Sequence, residues 1–173
     1  MVRQALLRST LGLWLIALSL PGLAAELRHG SAIATADRAD ILELMALYPN
    51  YWETHRCADW AALFTEDGVF QSLQGRAALV EGCEKAAQAG TDQIHLVGNV
   101  VLIQLDANHV KAVSQVLFGR HQPKVENSAQ FTGYGDYLDE FERTRAGWRF
   151  KKRVAGAHVA SPLPAEFHGL AGR

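Results

Sequence analysis

The side chains able to do chemistry gather in two places: Tyr51, Trp52, Glu53, His55 and Arg56 lie within six residues, and His95 stands in the apolar run Gln93 to Leu105. A neutral imidazole is a base near pH 7, and a carboxylate behind it holds its tautomer and stabilises the imidazolium as it forms. A guanidinium instead holds a carboxylate, sulfate or phenolate. Other reaction classes lack their residues. The seven histidines are scattered, and there is no His-x-His, His-Glu-x-x-His or paired Cys-x-x-Cys, so metal ligation has little support and no metal residue is assigned. There is no Gly-x-Ser-x-Gly, and neither Cys57 nor Cys83 has a nucleophile's motif around it. No glycine-rich phosphate loop or dinucleotide fingerprint occurs, so a cofactor-independent protein (cofactors: none) is expected.

The elements that must position these residues are read from periodicity. Ile41, Leu44, Met45, Tyr48 and Trp52 fall on one helical face, with Asp37 and Asp40 near its start and Pro49 expected to kink or restart it. A second short helix is expected from Asp59 to Phe64 with Asp59 as its cap, then the turn Thr65-Glu66-Asp67-Gly68 and a short strand Val69 to Gln71. A third helix runs from Arg76 to Ala89, opened by Gly75 and ended by Gly90. The period then changes to two, giving four long strands: Gln93 to Leu105, Val110 to Arg120, Gln130 to Thr144 and Trp148 to His158. Helices first and a run of strands after them predicts an α+β fold, with helices packed on one face of a sheet curved by its strand glycines.

With 173 residues the chain fits one domain, and a formal net charge of −1 leaves no basic surplus for a nucleic-acid partner. The first 25 residues read as a signal peptide: Arg3 and Arg8, the apolar run Leu11 to Leu20, the Pro21-Gly22 break and small residues up to Ala25. The apolar run is short for a membrane span, so no stable membrane anchor is expected after cleavage. The mature chain is then acidic and periplasmic or secreted, with a lead-in 26–36, a domain 37–158 and a tail 159–173. In an oxidising compartment Cys57 and Cys83 either pair or remain two buried thiols.

Tyr51 with Asp59-Trp60, Leu63-Phe64-Thr65-Glu66-Asp67-Gly68-Val69-Phe70, His95-Leu96-Val97-Gly98-Asn99, and Tyr137-Leu138-Asp139 through Gly147-Trp148-Arg149-Phe150 with Arg153 together resemble the SnoaL-like branch of the nuclear transport factor two-like superfamily. Its members include scytalone dehydratase, hexachlorocyclohexane dehydrochlorinase, bile acid dehydratase and polyketide cyclases. The resemblance implies a cone of helices and curved antiparallel sheet around a pocket, often with a homodimer through the outer sheet face. It also implies a strand histidine as base, paired with a helix aspartate, and a helix tyrosine as donor. His95 falls on the histidine position and Tyr51 on the tyrosine position, eight residues before Asp59. The acid, expected five residues after the tyrosine and three before the Asp-Trp pair, is replaced by Arg56, which leaves His55 or Glu53 to orient His95.

Two classes of function follow. One is a dehydratase-type lyase or isomerase moving a proton on a small hydrophobic molecule, with His95, Tyr51, His55 and Glu53 as its catalytic candidates. The other is a non-catalytic binder of a small hydrophobic or acidic aromatic molecule, with Arg56, Ser114, Tyr137 and Trp52 as contacts. A dimeric interaction module is a third, weaker reading. Each residue also has a plain structural alternative: His95 satisfied within an apolar strand, Arg56 solvated at a helix end, Trp52 in packing, and Tyr137 and Ser114 in the core of a half-buried sheet.

Overall fold

The structure is a computed structural model that describes residues 33–90, 92–121 and 129–157. The expected signal peptide, most of the lead-in, most of the loop before residue 129 and the tail lie outside the described residues. The helices are α1 (Thr35–Glu53), α2 (Cys57–Ala62) and α3 (Arg76–Gln88). The strands are β1 (Phe64–Phe70), β2 (Leu73–Gln74), β3 (Gln93–Gln104), β4 (His109–His121), β5 (Ala129–Thr144) and β6 (Gly147–Ala157). They form one open six-stranded sheet in the order β2-β1-β6-β5-β4-β3. Among the described residues no helix is long and apolar enough to cross a membrane.

Helices on one curved sheet is the architecture expected, but the sheet is mixed: β1 runs parallel to β6, and the other pairings are antiparallel. Three local readings are corrected. The acidic turn at 65–68 is part of β1, accommodated by an irregularity between Phe64 and Val69. There the Thr65 hydroxyl donates to Asp67 at 2.9 Å. Pro49 does not restart the helix but sits inside one α1, where its neighbour Tyr48 packs on the core. The second helix begins at Cys57, with Arg56 and not Asp59 as its N-cap, since the chain has already turned two residues earlier.

The core lies between α1, α2 and the inner sheet face, built on Ile41, Tyr48, Trp60, Phe64, Phe141 and Phe150. Tyr48 touches the rings of Trp60, Phe64, Tyr137 and Phe150 at centroid distances of 5.6 to 6.3 Å. Such edge and tilted contacts stabilise by about 0.5–1.5 kcal/mol each beyond the area buried. Cys57 and Cys83 form a disulfide joining α2 to α3, with Cα atoms 5.5 Å apart across a sequence separation of 26. Closing a loop of that size stabilises the fold by about 3 kcal/mol in the chain-entropy account.

Candidate functional site

Helix α1 ends in the turn Thr54-His55-Arg56. The His55 amide donates to the Trp52 carbonyl at 3.1 Å and the Arg56 amide to the Tyr51 carbonyl at 2.8 Å. This is the Schellman pattern, whose left-handed position usually belongs to glycine. Here His55 takes it, with φ of 56°, at a cost of roughly 1–2 kcal/mol. The turn leaves Glu53 as the final helical residue, facing β3. Its Oε1 accepts the His95 backbone N–H at 2.6 Å and lies 3.2 Å from His95 Nδ1. An ionised carboxylate only accepts, so Nδ1 carries the proton and Nε2 keeps its lone pair. The His95 side chain is 5% exposed and the Glu53 side chain 29%. Burial holds the imidazole below its ordinary range, opposed by Glu53 and assisted by the more distant Arg153. Phe118 on β4 meets the ring edge-on at 5.3 Å.

Further along the inner face, Asp139 of β5 and Arg153 of β6 form a bidentate pair with both contacts at 2.7 Å and both side chains fully buried. The guanidinium carbon lies 4.2 Å from the ring centroids of Tyr48 and Tyr137 and 4.4 Å from that of Phe150. Burial pushes the Tyr48 hydroxyl well above its ordinary value and the Tyr137 hydroxyl up to about 12, so both stay protonated donors. Burial also raises the Asp139 carboxyl, against the pull of Arg153. Ser114 pairs across the strands with Tyr137, and its buried hydroxyl, like Arg153 Nη1, has no hydrogen-bond partner among the described residues. Among the described residues no group of three or more His, Cys, Asp or Glu is placed to hold a metal.

Of the residues singled out from the sequence, Glu53 and His95 are in contact, and Tyr137 and Ser114 lie on the inner face behind them. The others sit apart from that contact. Arg56 bonds Asp59 through Nε and Nη2, each at 2.8 Å, and stacks over the Tyr51 ring at 4.4 Å. Trp52 is half-buried against Trp60, centroids 4.9 Å apart, and Phe70. His55 is exposed in the turn.

Tyr48, Asp139 and Arg153 are the residues that sequence reasoning missed. Tyr48 and Glu53 are five residues apart, the spacing expected of the tyrosine and acid, but three additional residues follow before Asp59-Trp60. Counting back from Asp59 therefore selects Tyr51 and Arg56, whereas counting forward from the buried tyrosine of the α1 stripe selects Glu53. Arg153 was hidden by a bulge. The β5–β6 register shifts between Glu140 and Phe141, so Lys151 is the additional residue and Arg153 turns inward where strict alternation from Trp148 and Phe150 would turn it out.

The sequence profile described as SnoaL-like domain matches residues 34–154. No curated protein matches the chain. Among solved structures it is similar to a nuclear transport factor two-like protein with a cystatin-like fold from Novosphingobium aromaticivorans, at 22% identity and TM-score 0.63, covering 80% of this chain and 90% of that one. ActVI-ORFA from Streptomyces coelicolor is similar at 20% identity and TM-score 0.65, with 75% and 100% covered. A provisionally assigned scytalone dehydratase from Novosphingobium aromaticivorans is similar at 23% identity and TM-score 0.58, with 75% and 93% covered. These likenesses show the nuclear transport factor two-like fold, and with the profile spanning both helix α1 and the whole of the site described above, the chain belongs to the SnoaL-like domain family.

Proposed function

We propose that the protein is an exported, cofactor-independent lyase of dehydratase type, or an isomerase, that moves a proton on a small hydrophobic molecule. The observation that carries this reading is the contact of Glu53 with His95, which leaves Nε2 as a base. Because burial keeps the imidazole largely neutral near pH 7, it is available to take a proton. Nε2 takes the proton of a C–H bond, and the electron pair left behind becomes a new C=C bond. In a dehydration that pair expels a hydroxyl, which leaves as water with a proton supplied by a tyrosine hydroxyl or by the imidazolium. In an isomerisation the imidazolium returns the proton to another carbon. Tyr48 and Tyr137, held protonated, are the donors we assign, and Arg153 supplies positive charge beside them.

The buried Cys57–Cys83 disulfide supports an oxidising destination, periplasmic or secreted. A second copy of the chain is the partner we assign to the outer sheet face, where Leu96, Leu117, Phe131, Tyr134 and Leu138 are 37 to 65% exposed. On that face the apolar row Leu96–Leu117–Tyr134 and the pair Val113–Leu138 flank the polar row Gly98–Gln115–Asp136, a mixture of apolar area and polar groups that suits a two-fold interface.

Mass spectrometry of the native protein after incubation with a library of small hydroxylated and carbonyl compounds identifies the ligand, and turnover of that compound then tests the base. His95→Gln is expected to lower kcat about 10²–10⁴-fold. Full turnover by that variant overturns the reading.

A further inference from the structure

The last turn of a helix has carbonyls without partners inside the helix, so it lasts only as long as the residues beyond it supply donors. In α1 that turn carries Glu53, and the donors are the amides of His55 and Arg56. Both belong to the three residues that separate Glu53 from Cys57. His55 holds a left-handed backbone that histidine disfavours, and such strain persists where the surroundings over-determine it. On one side the surroundings are Arg56, pinned between the Tyr51 ring and Asp59, both of which are themselves near the turn and partly exposed. On the other side is Cys57, the first residue of α2, buried and bonded to the buried Cys83 of α3.

We infer that the Cys57–Cys83 disulfide is a positioning device for Glu53: it holds the strained turn that presents the carboxylate to His95, so that reducing the bond loosens the pair while the sheet stays folded. The inference rests on the reading of Glu53 and His95 as a working pair. It makes Cys57 and Cys83 positioning residues and the proposed activity sensitive to thiols. Before Cys57 is fixed, the chain can relax His55 out of the left-handed region, which removes the amides from the Tyr51 and Trp52 carbonyls and frees the end of α1. The sheet needs no such support, since β3 to β6 are held by their own ladders.

The readout is the titration of the His95 imidazole, followed by nitrogen-15 NMR on the full chain and assigned with His95→Gln. Glu53 from α1 and Arg153 from β6 are the charged groups that act on this ring, and the Phe118 ring of β4 is neutral. Glu53→Gln is expected to lower the proton affinity of His95 about tenfold, and Cys57→Ser/Cys83→Ser to lower it at least threefold in the same direction. Adding His55→Gly to the cysteine-free chain, which lets the turn form without strain, is expected to restore the affinity to within twofold. A merely structural disulfide would lower thermal stability and leave this titration unmoved. If Glu53→Gln changes nothing, the pairing itself fails. If Glu53→Gln shifts the titration but the folded cysteine-free chain does not, only the disulfide inference fails. Should that chain not fold, hydrogen exchange on the native protein during reduction decides: amides 53–57 are expected to lose protection before those of β4 and β5, and simultaneous loss overturns the inference.

Discussion

Replacing Arg153 by methionine removes one half of an ion pair whose two carboxylate contacts are 2.7 Å long and whose partners are both fully buried. Asp139 then remains in the interior without its counter-charge, and breaking a buried pair in this way costs about 3–5 kcal/mol. At about 4 °C per kcal/mol for a domain of roughly 120 residues, the midpoint of thermal unfolding falls by about 15 °C. Replacing both partners, Asp139→Leu with Arg153→Met, removes the uncompensated charge as well. The three rings that now face the guanidinium would face a thioether chain, and the double variant is expected within about 2 kcal/mol of the parent.

The pH dependence separates this account from simple loss of packing. Burial already raises the Asp139 carboxyl, and without Arg153 it climbs further. Between about pH 3.9, the unfolded value, and that raised native value, the native state of Arg153→Met binds a proton that the unfolded chain releases. Its stability relative to the parent therefore falls as pH rises through this window, and the penalty is smaller at pH 4 than at pH 7. Urea unfolding of parent, both single variants and the double at the two pH values measures all of this. Single penalties that simply add in the double, or an Arg153→Met penalty equal at pH 4 and pH 7, refute the reasoning.

Gly68→Ala places a Cβ 2.8 Å from Phe64 Cβ and within 3.2 Å of the Thr65 and Phe150 carbonyl oxygens, backbone that cannot swing aside, so chemical denaturation should show a loss of about 1–3 kcal/mol. Leu117→Arg puts a charge in the middle of the apolar row Leu96–Leu117–Tyr134 of the outer face, and light scattering is expected to show a dimeric parent and a monomeric variant; a variant with unchanged mass removes the dimer proposal. His95, held below its ordinary value by burial, contributes stability that is present above about pH 6.5 and lost as pH falls from there toward its native value. His95→Gln is expected to flatten that part of the stability profile measured by urea unfolding.

How much of this was legible in the sequence depended on whether a local rule held without interruption. The period-two runs locate β3 to β6 within a residue or two because each side chain's face is set by burial. Tyr137 and Ser114 on the inner face follow from the same alternation. Where a bulge adds a residue, parity reverses: strict alternation from Tyr137 would turn Phe131 inward, but it lies on the outer face, 65% exposed, because the β4–β5 register shifts between Phe118 and Gly119. Arg153 is the same effect in the opposite direction. The parallel pairing of β1 with β6 had no local signature at all, since it joins the first and last strands among the described residues. The placement of Glu53 depended on three additional residues whose signal, a histidine at a left-handed turn, no composition rule marks.

That parallel pairing also decides when the protein can exist. Strand β6, which ends at Ala157, lies between β1 and β5 and is the seam between the N-terminal layer and the meander. Until it is in place, β1 with its hairpin partner and the β3–β5 sheet have no common ladder, and each presents a raw edge. Half of the buried ion pair and Phe150 arrive with it. Contacts this far apart in sequence form slowly, so the chain cannot complete its native core before β6 is available. The sheet is therefore closed by a contact of high sequence separation, and the N-terminal layer depends for its place on a strand more than 70 residues further along the chain.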